Sequence, residues 1–196
     1  MTASSYTPAL LSQLSSLVRL GPVTLIAGRH GGRCRCLLGP RCNLPGEHTM
    51  AARYWTTASR SPADIAAQFT RYAPCGLGVI LPSHNAVLQV PGALQADLAD
   101  YLDDRGLAPP TVHGPERSWV WLTVPSGLLR RYRTTLPPAR VIAAIGPGGW
   151  VPVPPTTLGT DAAPLIWRHS PTGHPLTPER GMALVQHLGE RLRDLA

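Results

Sequence analysis

Three of the chain's four cysteines fall within one short segment, Cys34-Arg-Cys36-Leu-Leu-Gly-Pro-Arg-Cys42, and His48 follows closely. Three thiolates and one imidazole make a complete tetrahedral donor set for zinc. Gly39-Pro40 and Pro45-Gly46 lie between the donors, where a chain must reverse direction to wrap a metal. The expectation is a zinc-knuckle-like loop over residues 30–50, with Cys34, Cys36, Cys42 and His48 as ligands and zinc as a structural cofactor. The C-x-C-x5-C-x5-H spacing leaves two other readings open. In one the cysteines are reduced thiols in an irregular loop and His48 is an ordinary surface residue; in the other they form disulfides.

The second chemical signal is arginine. All 18 basic residues are arginines, and the formal charge is +7. A guanidinium fork binds phosphate through two parallel hydrogen bonds and stacks on bases, which an ammonium does not do. No Asp or Glu precedes Glu47, and none lies between Glu116 and Asp161. The first acid-free stretch carries Arg19, Arg29, Arg33, Arg35 and Arg41, and the second carries Arg117, Arg130, Arg131, Arg133 and Arg140. If the two stretches meet, Arg33, Arg35, Arg41, Arg130, Arg131 and Arg133 form a phosphate-attracting surface for single-stranded DNA or RNA. If they do not, the chain simply has a basic, solvated exterior.

Other chemistry is sparse. The seven histidines, His30, His48, His84, His113, His169, His174 and His187, stand apart in sequence, and no G-x-S-x-G, H-E-x-x-H or Walker-type loop accompanies them. Each reads as a surface residue. Cys75 reads as a buried free thiol, with a spare metal ligand as the alternative. Trp121 and Trp167 are expected in the core.

With 196 residues and 43% hydrophobic composition, the chain can bury one substantial core, and a single domain over 1–196 is expected. No apolar run reaches the roughly 18 residues of a membrane span, and the N-terminus lacks the basic region of a signal peptide. The expected location is the cytoplasm, whose reducing conditions keep thiols free for metal.

The elements that would position these groups follow from periodicity. Leu10, Leu11, Leu14, Leu17 and Val18 predict a helix over Pro8 to Leu20, stopped by Gly21-Pro22. Val23 to Ala27 reads as a strand, and Ser61-Pro62-Ala63-Asp64 opens a second helix. Gly76 to Leu81 and Ala86 to Val90 read as two strands joined through Pro82-Ser83-His84-Asn85 in a hairpin-like turn. Leu94 to Leu102 is predicted helical, with Asp97, Asp100, Asp103 and Asp104 on a solvated face. Ser118 to Val124, Arg140 to Ile145, Trp150 to Val153 and Leu165 to Trp167 read as strands. Pro152, Pro154 and Pro155 restrict the third of these to an edge or a brief pairing, and Gly148-Gly149 sits in a tight hairpin turn before it. Thr177-Pro178-Glu179 caps a last helix with Met182, Val185, Leu188, Leu192 and Leu195 on one face. The fold class is α+β.

The order of motifs carries a family resemblance. Cys34, Cys36 and Cys42 precede Gly46-Glu-His48, then Trp55 with Thr57-Ala58, Leu77-Gly78-Val79, Val87-Leu88-Gln89-Val90-Pro91, Gly148-Gly149-Trp150-Val151-Pro-Val-Pro154-Pro155 and Trp167. This succession resembles the bifunctional DNA primase/polymerase N-terminal domain, the prim-pol branch of the archaeo-eukaryotic primase superfamily, over roughly residues 10 to 190. The resemblance implies a mixed sheet with flanking helices and a Cys/His loop.

The resemblance also exposes what is missing. Active members of that family end the strand equivalent to Val87–Pro91 in Asp-x-Asp, which holds two divalent ions. Gln89 and Pro91 occupy those positions, so no catalytic Mg²⁺ or Mn²⁺ pair is expected. The family's central histidine has no counterpart in Ser118 to Val124, and its third carboxylate would fall in the apolar Val141 to Ile145. The expected function is that of a degenerate, catalytically inactive prim-pol-like protein that binds nucleic acid in support of DNA replication. The alternatives are an active primase/polymerase using displaced carboxylates such as Asp97, Asp100, Asp103 or Asp104, and a module that binds replication or regulatory proteins. No membrane partner is expected.

Overall fold

Leu14, Leu17 and Leu20 recur at helical spacing and are buried, and they fix the first element, α1 (Pro8–Leu20). In a computed structural model of the chain, residues 8–27, 29–30, 33–34, 58–72, 75–124, 142–158 and 163–194 are described. They belong to two compact units, one reaching Ile80 and resuming from Pro152 to Pro164, the other running from Leu81 to Val151 and resuming at Leu165.

In the first unit α1 packs on α2 (Pro62–Tyr72). The Ser61 hydroxyl accepts the Asp64 N–H at 3.3 Å and caps α2, with Pro62 in the first turn. Gly21 ends α1 where a side chain could not fit: a Cβ there would lie within 2.0 Å of the Ile80 carbonyl oxygen. The fully buried β1 (Val23–Ile26) pairs antiparallel with β4 (Gly76–Ile80), Val23 opposite Val79 and Ile26 opposite Gly76. Between them in sequence, β2 (Arg29–His30) and β3 (Arg33–Cys34) form a two-stranded ribbon. β4 is central in a sheet whose other edge is β9 (Trp150–Val153), the edge placement that its proline predicts.

Thr156, just beyond β9, does unusual work for a side chain. Its hydroxyl accepts the Leu77 N–H at 2.7 Å and donates to the Leu77 carbonyl at 2.9 Å. Thr156 is 1% exposed, so one hydroxyl satisfies both backbone groups of a buried residue. Gly76 makes room for it, because a Cβ there would stand 2.5 Å from the Thr156 oxygen. A short ribbon of β10 (Thr157–Leu158) and β11 (Ala163–Pro164) completes the unit.

The second unit is built on a five-stranded sheet in the order β12-β6-β7-β5-β8. Its strands are β5 (Asn85–Pro91), β6 (Thr111–His113), β7 (Arg117–Thr123), β8 (Ala143–Ile145) and β12 (Ile166–His169). All four pairings are antiparallel. The α+β class stands, and the expected mixed sheet is corrected to an antiparallel one. Among the described residues no strand of this sheet returns by a helical crossover into parallel pairing, the connection such a sheet needs.

One face of this sheet presents Ala86, Leu88, Val90, Val120 and Leu122 to α3 (Gln95–Asp104) and α4 (Pro178–Asp194). Leu98, Tyr101 and Leu102 from α3 and Leu184, Val185 and Leu188 from α4 close that core, with Met182 and Leu192 at its margin. A 3-10 turn at Gly92–Leu94 leads into α3, and the Thr177 hydroxyl accepts the Arg180 N–H at 3.4 Å at the start of α4.

Two expected hairpins do not form. β4 joins β1, whereas β5 joins β7 and β8. The Pro82 carbonyl still accepts the Asn85 N–H at 3.1 Å, so the turn is real, but it carries the chain from one sheet to another. Gly146–Gly149 likewise turns tightly, with Gly148 at φ +77°, yet it delivers β8 and β9 to different sheets. A local turn signal reports a change of direction and not the partner that follows it.

Candidate functional site

Gln89 and Pro91 are two residues apart on β5 and therefore project to one face of the sheet. It is the face opposite the two helices. The register places Gln89 in a row with Ala143 on β8, Trp119 on β7, Val112 on β6 and Trp167 on β12. The adjacent row holds Ile145, Val87 and Trp121. The Trp121 and Trp167 rings lie 5.9 Å apart and inclined by 42°. Trp121 is buried, as expected; Trp167 is only partly so, because β12 is an edge strand.

Neither row contains a carboxylate. Pro91 faces Arg117, whose guanidinium lies 3.8 Å from Glu116. Among the described residues no three His, Cys, Asp or Glu side chains are grouped so as to hold a metal ion. Two divalent cations held together need several anionic oxygens to balance their charge. These rows present one neutral amide, indoles and aliphatic groups in that place.

The displaced-carboxylate alternative meets a different arrangement from the solvated face expected of α3. Asp97 is ion-paired with Arg191 at 2.5 Å and is 19% exposed, and Asp103 accepts a hydrogen bond from Arg168 at 2.6 Å. Asp103 is solvated as expected even while paired, whereas the expectation fails at Asp97, which Arg191 of α4 partly covers.

A concentration of polar groups that the sequence reading missed lies on the helix-side face at the β12 edge. His113 stands directly opposite Ser118, and His169 opposite Thr111. The register slips between Trp167 and His169, a bulge that inserts Arg168. His113 Nε2, Ser118 Oγ, Arg168 Nε and His169 Nδ1 are all buried without a hydrogen-bond partner among the described residues. The His113 pKa is lowered by burial first and then by the charge of Arg168 and the proximity of His169. That of His169 is lowered by burial and Arg168, with Asp103 and the Pro109 carbonyl opposing. Both imidazoles are accordingly neutral at pH 7. They are half-buried and share a sheet edge, where the sequence suggested isolated surface residues. The signal was hidden because β6, which carries His113, has no periodicity long enough to declare a strand. Ser118 Oγ and His113 Nε2 are not bonded to each other, so they do not form an activated Ser–His couple.

Of the expected metal and phosphate ligands, Arg33 and Cys34 lie on β3. Cys36, Cys42, His48, Arg35, Arg41, Arg130, Arg131 and Arg133 lie outside the described residues. Cys75 is buried, its thiol directed at the Phe69 carbonyl at 3.8 Å, and His84 and His174 are exposed. No helix among the described residues is long and apolar enough to cross a membrane. No family model, curated protein or solved structure matches this chain.

Proposed function

We propose that the chain is a prim-pol-like protein without nucleotidyl-transfer activity, acting in the cytoplasm as a nucleic-acid-binding accessory to DNA replication. The observation that carries the reading is the Gln89 row. The positions where the resemblance calls for metal-binding carboxylates share one sheet face with Trp119, Ala143 and Trp167, and the row has no anionic oxygen. Affinity for single-stranded DNA or RNA then rests on arginine contacts to phosphate, which attract any sequence, and the +7 formal charge favours that mode. A zinc ion held by Cys34, Cys36, Cys42 and His48 stabilises the arginine-bearing loop in this reading.

The test is a paired measurement on the purified chain. A labelled single-stranded oligonucleotide, DNA or RNA, is titrated across a salt series while primer synthesis and extension are assayed with Mn²⁺. Binding should occur at low salt and weaken steeply as salt rises, with no template-dependent incorporation. Robust synthesis by the wild-type protein overturns the inactive reading. A folded protein that binds neither nucleic acid at low salt overturns the accessory role. Metal analysis reads the zinc directly: about one ion per chain is expected.

A further inference from the structure

Between α3 and α4 lies an open groove of about 390 Å³, lined by Tyr101, Arg105, Leu107, Glu179, Arg180 and Ala183. Its volume falls within the roughly 300–1,000 Å³ of small-ligand clefts. Leu107 and Ala183 give it an apolar floor, and Arg105, Glu179 and Arg180 stand around it.

The rim charges are not equivalent. The Glu179 carboxylate is bonded to its own backbone N–H and to the Thr177 hydroxyl, which hold its pKa below the usual range. Its charge is thus directed at the start of α4, where a carboxylate complements the helix dipole. Arg105 and Arg180 have no carboxylate partner among the described residues, in contrast to Arg117, Arg168 and Arg191 on the same unit. Arg105 is also held in place: its guanidinium lies 3.9 Å from the centre of the Tyr101 ring, and Nη1 points to the Tyr101 carbonyl at 3.5 Å. Stacking against a ring leaves the outward edge of the fork free to accept a carboxylate.

We infer that this groove docks a short acidic peptide segment of a partner protein, with one bulky apolar side chain on the Leu107–Ala183 floor and flanking Asp or Glu carboxylates on Arg105 and Arg180. Charge complementarity selects the occupant. Two uncompensated guanidiniums bracket an apolar depression, which suits alternating carboxylate and aliphatic groups. It suits a nucleic-acid strand poorly, because its one aromatic ring is already covered by Arg105 and leaves no free face on which a base could stack. This site does not depend on the nucleic-acid reading above and uses none of its residues.

The experiment uses the full chain and a fluorescein-labelled, C-terminally amidated peptide in which Asp residues flank a single Leu, followed by anisotropy. The peptide should bind at low salt, and replacing either its Leu or its Asp residues with Ser should abolish binding. Arg105→Glu with Arg180→Glu should weaken binding about tenfold or more without lowering the melting temperature, since both side chains are exposed. Ala183→Trp, which fills the groove and leaves every charge in place, should block the peptide equally. Three results overturn the proposal: no binding at low salt, binding that survives both sets of substitutions, or binding indifferent to the peptide's Leu. Displacement of the peptide by a single-stranded oligonucleotide, with the oligonucleotide's own affinity lost in Arg105→Glu/Arg180→Glu, also overturns it by assigning the groove to nucleic acid.

Discussion

The first unit and the β12 edge of the second both bury polar groups, and they treat them in opposite ways. At β4 one hydroxyl, that of Thr156, satisfies both the N–H and the carbonyl of Leu77. On β6, β7 and β12 four side-chain atoms, of His113, Ser118, Arg168 and His169, are buried with no hydrogen-bond partner among the described residues. A buried polar group left unpaired costs about 1–3 kcal/mol, so the second arrangement is maintained at the expense of stability. The first region holds the fold together. The second sets the protonation state of two imidazoles.

Breaking the satisfied site should have the largest effect. Thr156→Val keeps the shape but removes the hydroxyl, leaving both Leu77 groups unpaired, and should lower stability by about 2–5 kcal/mol in denaturant unfolding. Thr156→Ser, which restores the hydroxyl, should recover most of that loss. If Val and wild type unfold at the same denaturant concentration, the contrast between the regions collapses.

Acid should act selectively on the unsatisfied region. The pKa values of His113 and His169 are lowered in the fold from 6.5. Between their folded values and the ordinary one, the unfolded chain therefore binds more protons than the native one. The stabilisation is complete above pH 6.5 and is lost as pH falls through that value toward the folded pKa values. Melting temperature should decline from pH 7 toward pH 5, and the decline should flatten in a His113→Phe/His169→Phe protein. Glu179, also lowered, titrates below its usual 4.5 and so outside this window.

A smaller effect, of opposite sign to that of Thr156→Val, is expected at Ser118. Ser118→Ala removes an unpaired buried hydroxyl and should change stability by less than about 1 kcal/mol, toward greater stability. Clear destabilisation would mean that the hydroxyl has a partner after all, such as an ordered water. The smallest change is expected at Asp103→Asn, which loses a surface ion pair worth about 0.2–1 kcal/mol. Its more telling readout is the His169 titration followed by NMR: without Asp103, which raises that pKa, the midpoint should fall further.

Helices were legible in the sequence because each carries its own period and its own ends. α1 begins and ends at the predicted Pro8 and Leu20, and α2 starts at the Ser61-Pro62 signal. Most strands were legible as segments for the same local reason. Their partners were not, since pairing depends on contacts that no short window contains. β2, β3, β6, β10 and β11 went unread: two or three residues are too few to alternate. The candidate face was legible at Gln89 and Pro91 through the resemblance, but the row of Trp119, Val112 and Trp167 beside Gln89 is visible only through register. The His113–Arg168–His169 edge was wholly hidden, because its members come from two strands and a bulge.

The bond between Leu77 and Thr156 joins residues 79 positions apart in the chain, and the whole second unit up to Val151 is synthesised between them. On the ribosome the first unit therefore waits, with Leu77 unpaired, until the segment Pro152–Pro164 has emerged. The second unit waits in turn for α4. A chain halted anywhere before Pro152 would complete neither unit, so neither can close its own contacts until the segment from Pro152 onward has been made.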